Sequence, residues 1–92
     1  MYRCEIKPHL QNALKKLLKR DKQLYERVLK KIEEIINCAD VEHYKNLSYD
    51  MKDKKRVHIG HFVLAFQLIR EENKISLVDF DHHDNIYAKK FL

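Results

Sequence analysis

Four of the six histidines in this 92-residue chain fall in its second half, at His58, His61, His82 and His83. Lys54, Lys55, Arg56 and Tyr87 stand among them. Unperturbed imidazole titrates near pH 6.5, which suits it to donate or accept a proton at neutral pH. The run Lys54-Lys55-Arg56 supplies the local positive charge an anionic group needs. Two other readings compete with a catalytic one. These residues also fit exposed polar positions at strand ends and in a loop, with Tyr87 packed on the sheet edge. Alternatively, Asp81-His82-His83-Asp84 and His58-x-x-His61 offer imidazoles and carboxylates to a metal ion. Neighbouring side chains on an extended chain point to opposite sides, which hinders His82 and His83 from ligating one ion together. The expectation is therefore no metal and no cofactor.

Three runs rich in β-branched and aromatic residues hold these side chains: Arg56–Ile59, Phe62–Ile69 and Lys74–Phe80. They read as consecutive antiparallel strands. Gly60-His61 separates the first two, and a Gly-X pair supplies the positive φ of a two-residue type II′ hairpin. Arg70-Glu71-Glu72-Asn73 separates the next two and ends in an asparagine, which tolerates the left-handed region. Phe62–Ile69 is apolar on both faces, as in a strand inside a sheet with helices on one side.

The remainder must support that meander. Tyr2, Cys4 and Ile6 alternate with charged residues, so a short first strand is expected before Pro8. Leu10, Ala13, Leu14, Leu17 and Leu18 fall at helical spacing over His9–Arg20. Asp21 then caps a second helix whose stripe, Leu24, Val28, Leu29, Ile32, Ile35 and Ile36, runs to about Cys38. A short extended piece is expected around Tyr44–Leu47, followed by a loop through residues 50–53. Past Phe80 the strand pattern breaks over 81–85, resumes at Ile86-Tyr87 and ends in a basic tail. Tyr2, Tyr25, Tyr44 and Tyr49 read as core or boundary residues.

The length fits a single domain spanning residues 1–92. Met1–Cys38 holds ten Lys/Arg against five Asp/Glu, whereas Ala39–Leu92 holds nine of each, so the whole excess of +5 sits in the helical half. Those helix charges read mainly as a solvated face. Any anion site in the second half must come from local arrangement. Cys4 and Cys38 lack CxxC spacing and read as buried thiols of a reducing compartment. The nearly uncharged run Ile59–Ile69 is far shorter than the roughly 20 residues that span a bilayer, and the N-terminus has no signal-peptide pattern, so a cytoplasmic protein without membrane association is expected.

Strand, two helices and three antiparallel strands with a tyrosine near the end make an α+β chain that resembles the RelE/ParE superfamily of toxins from type II toxin–antitoxin modules. The resemblance rests on Tyr44-Lys45-Asn46-Leu47, on the hairpin Arg56-Val57-His58-Ile59-Gly60-His61-Phe62, and on the closing His82-His83-Asp84-Asn85-Ile86-Tyr87. It implies a toxin with a microbial-ribonuclease-like fold, silenced by a cognate antitoxin and present as a monomer or a toxin–antitoxin hetero-oligomer. It further implies a ribosome-dependent endoribonuclease that cuts mRNA by attack of a ribose 2′-hydroxyl on the adjacent phosphate.

Carried over by position, Arg56 and His58 match the basic pair before the hairpin, and either His82 or His83 matches the basic residue ahead of the closing Tyr87. On this reading His58 and one of His82 and His83 supply base and acid, Arg56 grips phosphate, and Tyr87 stacks a base or orients the attack. Lys45, Lys54, Lys55 and His61 are the expected RNA contacts. The sequence departs from the pattern at Val63, where many members carry an arginine that holds the phosphate. Val63 can neither donate a hydrogen bond nor neutralise charge, and electrostatic stabilisation is a major term in phosphoryl transfer. That departure keeps a non-catalytic alternative open: a ParE-like topoisomerase inhibitor, or a degenerate toxin that only binds its antitoxin.

Overall fold

A computed structural model describes residues 2–46 and 54–88, with the backbone alone at 87 and 88. The expected loop at 50–53, the roles of Leu47 and Tyr49, the basic tail and the side chain of Tyr87 lie outside the described residues. The elements run β1 (Arg3–Ile6), α1 (Pro8–Arg20), α2 (Lys22–Ile36), β2 (Lys54–Ile59), β3 (Phe62–Ile69), β4 (Lys74–His82) and α3 (His83–Ala88). Pro8 opens α1, where its missing N–H costs nothing. Asp21 serves both helices. Its N–H donates to the carbonyl of Leu17, and its Oδ1 accepts from the N–H of Leu24 at 3.1 Å. One residue thus ends α1 and caps α2, which forces the tight helical hairpin.

Among the described residues the strands form one sheet in the order β1-β4-β3-β2, with β2, β3 and β4 antiparallel and β1 parallel to β4. Both turns follow the sequence. Gly60 has φ +62° and His61 a negative φ, the signs of a type II′ turn, and Asn73 sits in the left-handed region at φ 50°. A Cβ on Gly60 would meet only the Arg27 guanidinium, at 3.8 Å, so the cost of Gly60→Ala is backbone strain alone. That strain is about 1–2 kcal/mol and should lower Tm by roughly 5–15 °C. A melt unchanged within 2 °C would contradict the turn.

β3 lies inside the sheet and is apolar on both faces. Leu64, Phe66 and Leu68 pack with Leu14, Val28 and Ile32 of the helical hairpin. Val63 and Ala65 pack on the other face under Ile86 of α3, all three at 1% exposure or less. This second layer corrects the extended Ile86-Tyr87 of the sequence reading. As a strand, that dipeptide would leave Val63 and Ala65 open to water. As a helix it buries Ile86, worth about 1.5–3 kcal/mol for a side chain of this kind.

Two smaller expectations also change, and the extended piece expected at Tyr44–Leu47 is seen as far as Asn46. Leu18 and Leu29 remain 44% and 41% exposed, because the buried stripes are narrower than the apolar spacing suggests. Cys4 is exposed rather than buried, since β1 is an edge strand, and Cys38 is half-buried. A 3₁₀ turn occupies Val41–His43, after which Asn46 forms a single antiparallel bridge with Lys55. No helix among the described residues is long and apolar enough to cross a membrane.

β4 carries an irregularity that positions the candidate site. Ala65 pairs with Asp79, but Phe66 pairs with Leu77, which leaves Val78 as an extra residue. A bulge reverses the inward and outward alternation beyond it. Ile75 and Leu77 face the helical hairpin before the bulge, and Phe80 does so after it. His82 follows Phe80 onto that side, and Asp81 goes to the other.

Candidate active site

Along β2 the side chains alternate, and cross-strand partners share a face. Lys54, Arg56 and His58 pair with Gln67, Ala65 and Val63, which places them on the face that α3 covers. Lys55 pairs with Phe66 and turns inward instead. It is 6% exposed, and its Nζ donates to Asn46 Oδ1 at 2.9 Å, so this expected RNA contact is not on the exposed patch.

His83, the first residue of α3, extends the β4 ladder by one step, its N–H donating to the carbonyl of His61 at 2.9 Å. Its ring lies 5.6 Å from that of His58, with planes 29° apart. Arg56 joins them: one guanidinium nitrogen is 2.9 Å from His58 Nε2, and its Nε donates to the carbonyl of Asn46 at 3.1 Å. The N–H of Arg56 donates to the carbonyl of Lys45 at 2.9 Å, which brings that exposed lysine to the same corner. Arg56, His58 and His83 are therefore gathered on one exposed patch, with Lys45 and Lys54 nearby.

His61 and His82 lie elsewhere. His82 stands on the opposite side, its ring at 75° to that of Phe62 and 6.5 Å from that of His61 at the hairpin tip. With the bulge in β4, the ring of His83 meets that of His58, and the ring of His82 does not. Among the described residues no three histidine, cysteine or carboxylate side chains converge as a metal ion requires.

Two contributors were missed by sequence reasoning. Asp84 Oδ1 lies 3.3 Å from His83 Nδ1, where a carboxylate orients the ring. The clue was its place beside His83. The carbonyl of Asn46 steadies the Arg56 guanidinium, a backbone contact that leaves no trace in residue identity.

His58 is pushed below the usual histidine range, first by partial loss of water and then by the positive charges of Arg56, His83 and Lys45. The Arg56 contact agrees, since a guanidinium donates only to an unprotonated ring nitrogen. The ring is therefore a neutral base at pH 7. By linkage, the unfolded chain holds this proton more readily below about pH 6.5, so the associated stability is present above that pH and lost as pH falls through and below it. An NMR titration should give a His58 midpoint below that of an unfolded peptide, rising in Arg56→Gln. A midpoint at or above the peptide value would exclude the cationic surroundings described.

No family model matches the chain. It is 50% identical to a Methanocaldococcus jannaschii protein that bears the provisional name toxin RelE4, over 100% of this chain and 97% of that one. It is 42% identical to an uncharacterized protein of Methanosarcina mazei, over 95% and 100% of the two chains. Its fold is similar to that of the isolated Escherichia coli RelE toxin, with a TM-score of 0.73, 17% identity and coverage of 89% and 84%. It is also similar to a chain of the E. coli RelBE toxin–antitoxin complex, with a TM-score of 0.74, 18% identity and coverage of 89% and 96%. With half its residues matched along its entire length to a relative that carries the RelE name, and with the fold of RelE itself, the chain belongs to the RelE family of toxins.

Proposed function

We propose that this toxin is a ribosome-dependent endoribonuclease that halts translation by cutting mRNA, held in check in the cytoplasm by a cognate antitoxin. The observation that carries the reading is the convergence of Arg56, His58 and His83 on one exposed patch. In the reaction, neutral His58 takes the proton of a ribose 2′-hydroxyl as its oxygen bonds to the adjacent phosphorus. The P–O5′ bond breaks and His83, oriented by Asp84, protonates the departing 5′-oxygen, leaving a 2′,3′-cyclic phosphate and a 5′-hydroxyl. Arg56 moves from His58 to the phosphate, which frees the Nε2 lone pair for the hydroxyl and offsets charge on the phosphate oxygens. Lys45 and Lys54 contact the flanking backbone, and Tyr87 stacks a base or orients the attack. No cofactor enters the scheme.

The antitoxin partner is supported by the solved RelBE complex, whose toxin shares this fold. Exposed Leu18 and Leu29, and the outer edge of β1, are surfaces suited to an extended or helical segment.

Val63 favours a second reading, a toxin that binds without cutting, because it places an apolar side chain across from His58. Purified protein added to translating ribosomes separates the two. Cleavage inside codons, with cyclic phosphate ends and loss of translation, is the expected result. Intact mRNA, or growth arrest with DNA damage and undiminished translation, would overturn the nuclease reading.

A further inference from the structure

β2 is the last strand of the sheet, and Lys45 and Asn46 lie along its outer edge at Lys55 and Arg56. Beyond them, toward the hairpin turn, opens a cavity of about 250 Å³. Its walls are His58 and Ile59 of β2 with Arg27, Lys30, Lys31 and Glu34 of α2. Ile59 packs with Val28 and Ile32 on the face toward the helical hairpin, whereas His58, paired with Val63, is on the face that α3 covers. A cavity that touches both residues therefore passes round the edge of the strand. It joins the patch of Arg56, His58 and His83 to the flank of α2.

The α2 wall is built by helical spacing. Positions 30, 31 and 34 follow 27 by three, four and seven residues, so all four share one face, beside the buried Val28, Ile32 and Ile35. Three of the four are cations. The carboxylate, Glu34, is held by Lys31 at 2.7 Å. Arg27 and Lys30 are exposed, and among the described residues no carboxylate pairs with either. The Arg27 guanidinium reaches over the turn, 3.8 Å from where a Cβ on Gly60 would sit. The furrow thus carries an excess of positive charge that an anion would offset.

We infer that Arg27 and Lys30 hold the sugar–phosphate backbone of a single RNA strand beyond the cleaved bond, where it passes from His58 round the edge of β2. The inference rests on the nuclease reading and adds a second anchor to it. Along β2, Lys54 stands toward one end and the furrow lies toward the other. The strand is then gripped on both sides of the phosphate under attack, which fixes the geometry the reaction needs. An acidic segment of a protein partner would suit the same charge, but continuity with His58 favours RNA.

The test uses a fluorescent RNA with 2′-O-methyl sugars, which cannot be cut, titrated with the full chain at several salt concentrations. Each phosphate contact contributes roughly 0.7 to the slope of log affinity against log salt for a single strand. Arg27→Gln with Lys30→Gln should therefore make the slope shallower by about 1.4, so that between about 50 and 200 mM salt the wild type loses about sevenfold more affinity than the variant. Lys15→Gln with Lys19→Gln removes the same charge from exposed positions of α1 and should leave the slope near that of the wild type. An unchanged slope in the α2 variant, or an equal change in the α1 variant, overturns the anchor and leaves the RNA reading standing. No binding of the RNA by the wild type overturns both. An effect of the α2 variant confined to a glutamate-rich peptide, with RNA binding unaltered, marks a protein-docking face and overturns the anchor. In the wild type alone, the Arg27 Nε–H resonance should shift as RNA is added. A stationary Arg27 beside a shifting His58 overturns the anchor even if a variant fails to fold.

Discussion

His58→Ala is expected to lower mRNA cleavage by about 10²- to 10⁴-fold, the range for loss of a positioned proton acceptor. The side chain is exposed, so its removal should leave the melting temperature almost unchanged. That separates a chemical defect from a folding one. His58 is the group of the patch whose titration is displaced toward the neutral form, the state a base must occupy before it can take a proton. Arg56→Ala should cost a comparable 10²- to 10³-fold through lost charge stabilisation, together with some stability, because Arg56 also ties β2 to Asn46. Tyr87→Phe measures the remaining role proposed for this site. Single-turnover rates on programmed ribosomes, with the cut sites mapped, give the readout. Equal rates for wild type, His58→Ala and Tyr87→Phe would end the proposed mechanism, even with the fold and family intact.

The legibility of this chain follows from which forces were local. Helix ends and turns were readable because single residues dictate them: Pro8 and Asp21 for the hairpin of helices, Gly60 and Asn73 for the strand turns. β3 was readable because a strand apolar on both faces has one comfortable place in a sheet. The pairing of β1 beside β4 was not, since nothing in four residues records a parallel partner some 70 positions away. Nor was α3. Six residues of mixed polarity carry no helical period, and the helix exists because Val63 and Ala65 need a cover.

The same contrast applies to the candidate site. That His82 and His83 part company was foreseen from strand geometry, but which one meets His58 depended on the bulge at Val78. Its trace was present as a slip in alternation, with Ile75 and Leu77 inward at odd positions and Phe80 inward at an even one. Lys55 looked equivalent to its basic neighbours by composition, yet strand alternation alone assigns it to the buried face.

Val63→Arg tests whether the apolar residue at this position is linked to α3. Val63 is fully buried, with Ala65 and Ile86 around it, and sits directly across from His58 on one side and Asp81 on the other. A guanidinium there meets one of two fates. If α3 stays in place, the added volume costs about 1–3 kcal/mol, rising toward 3–5 kcal/mol if the charge is buried without a partner. Asp81, paired with Val63 across the strands, offers a carboxylate, but its Oδ1 already accepts from the N–H of His82 and from Asn85. If α3 lifts instead, Ile86 gives up its burial, the α3 amides lose protection from hydrogen exchange, and the arginine enters the patch beside His58. The second fate is the expected one, because six helical residues anchored through Ile86 are easier to displace than the central strand. Cleavage per folded molecule should then rise while Tm falls by several degrees. A variant with wild-type Tm, protected α3 amides and unchanged cleavage would show that Val63 is not packed beneath that helix, and the link between the missing arginine and the helical cover would be lost.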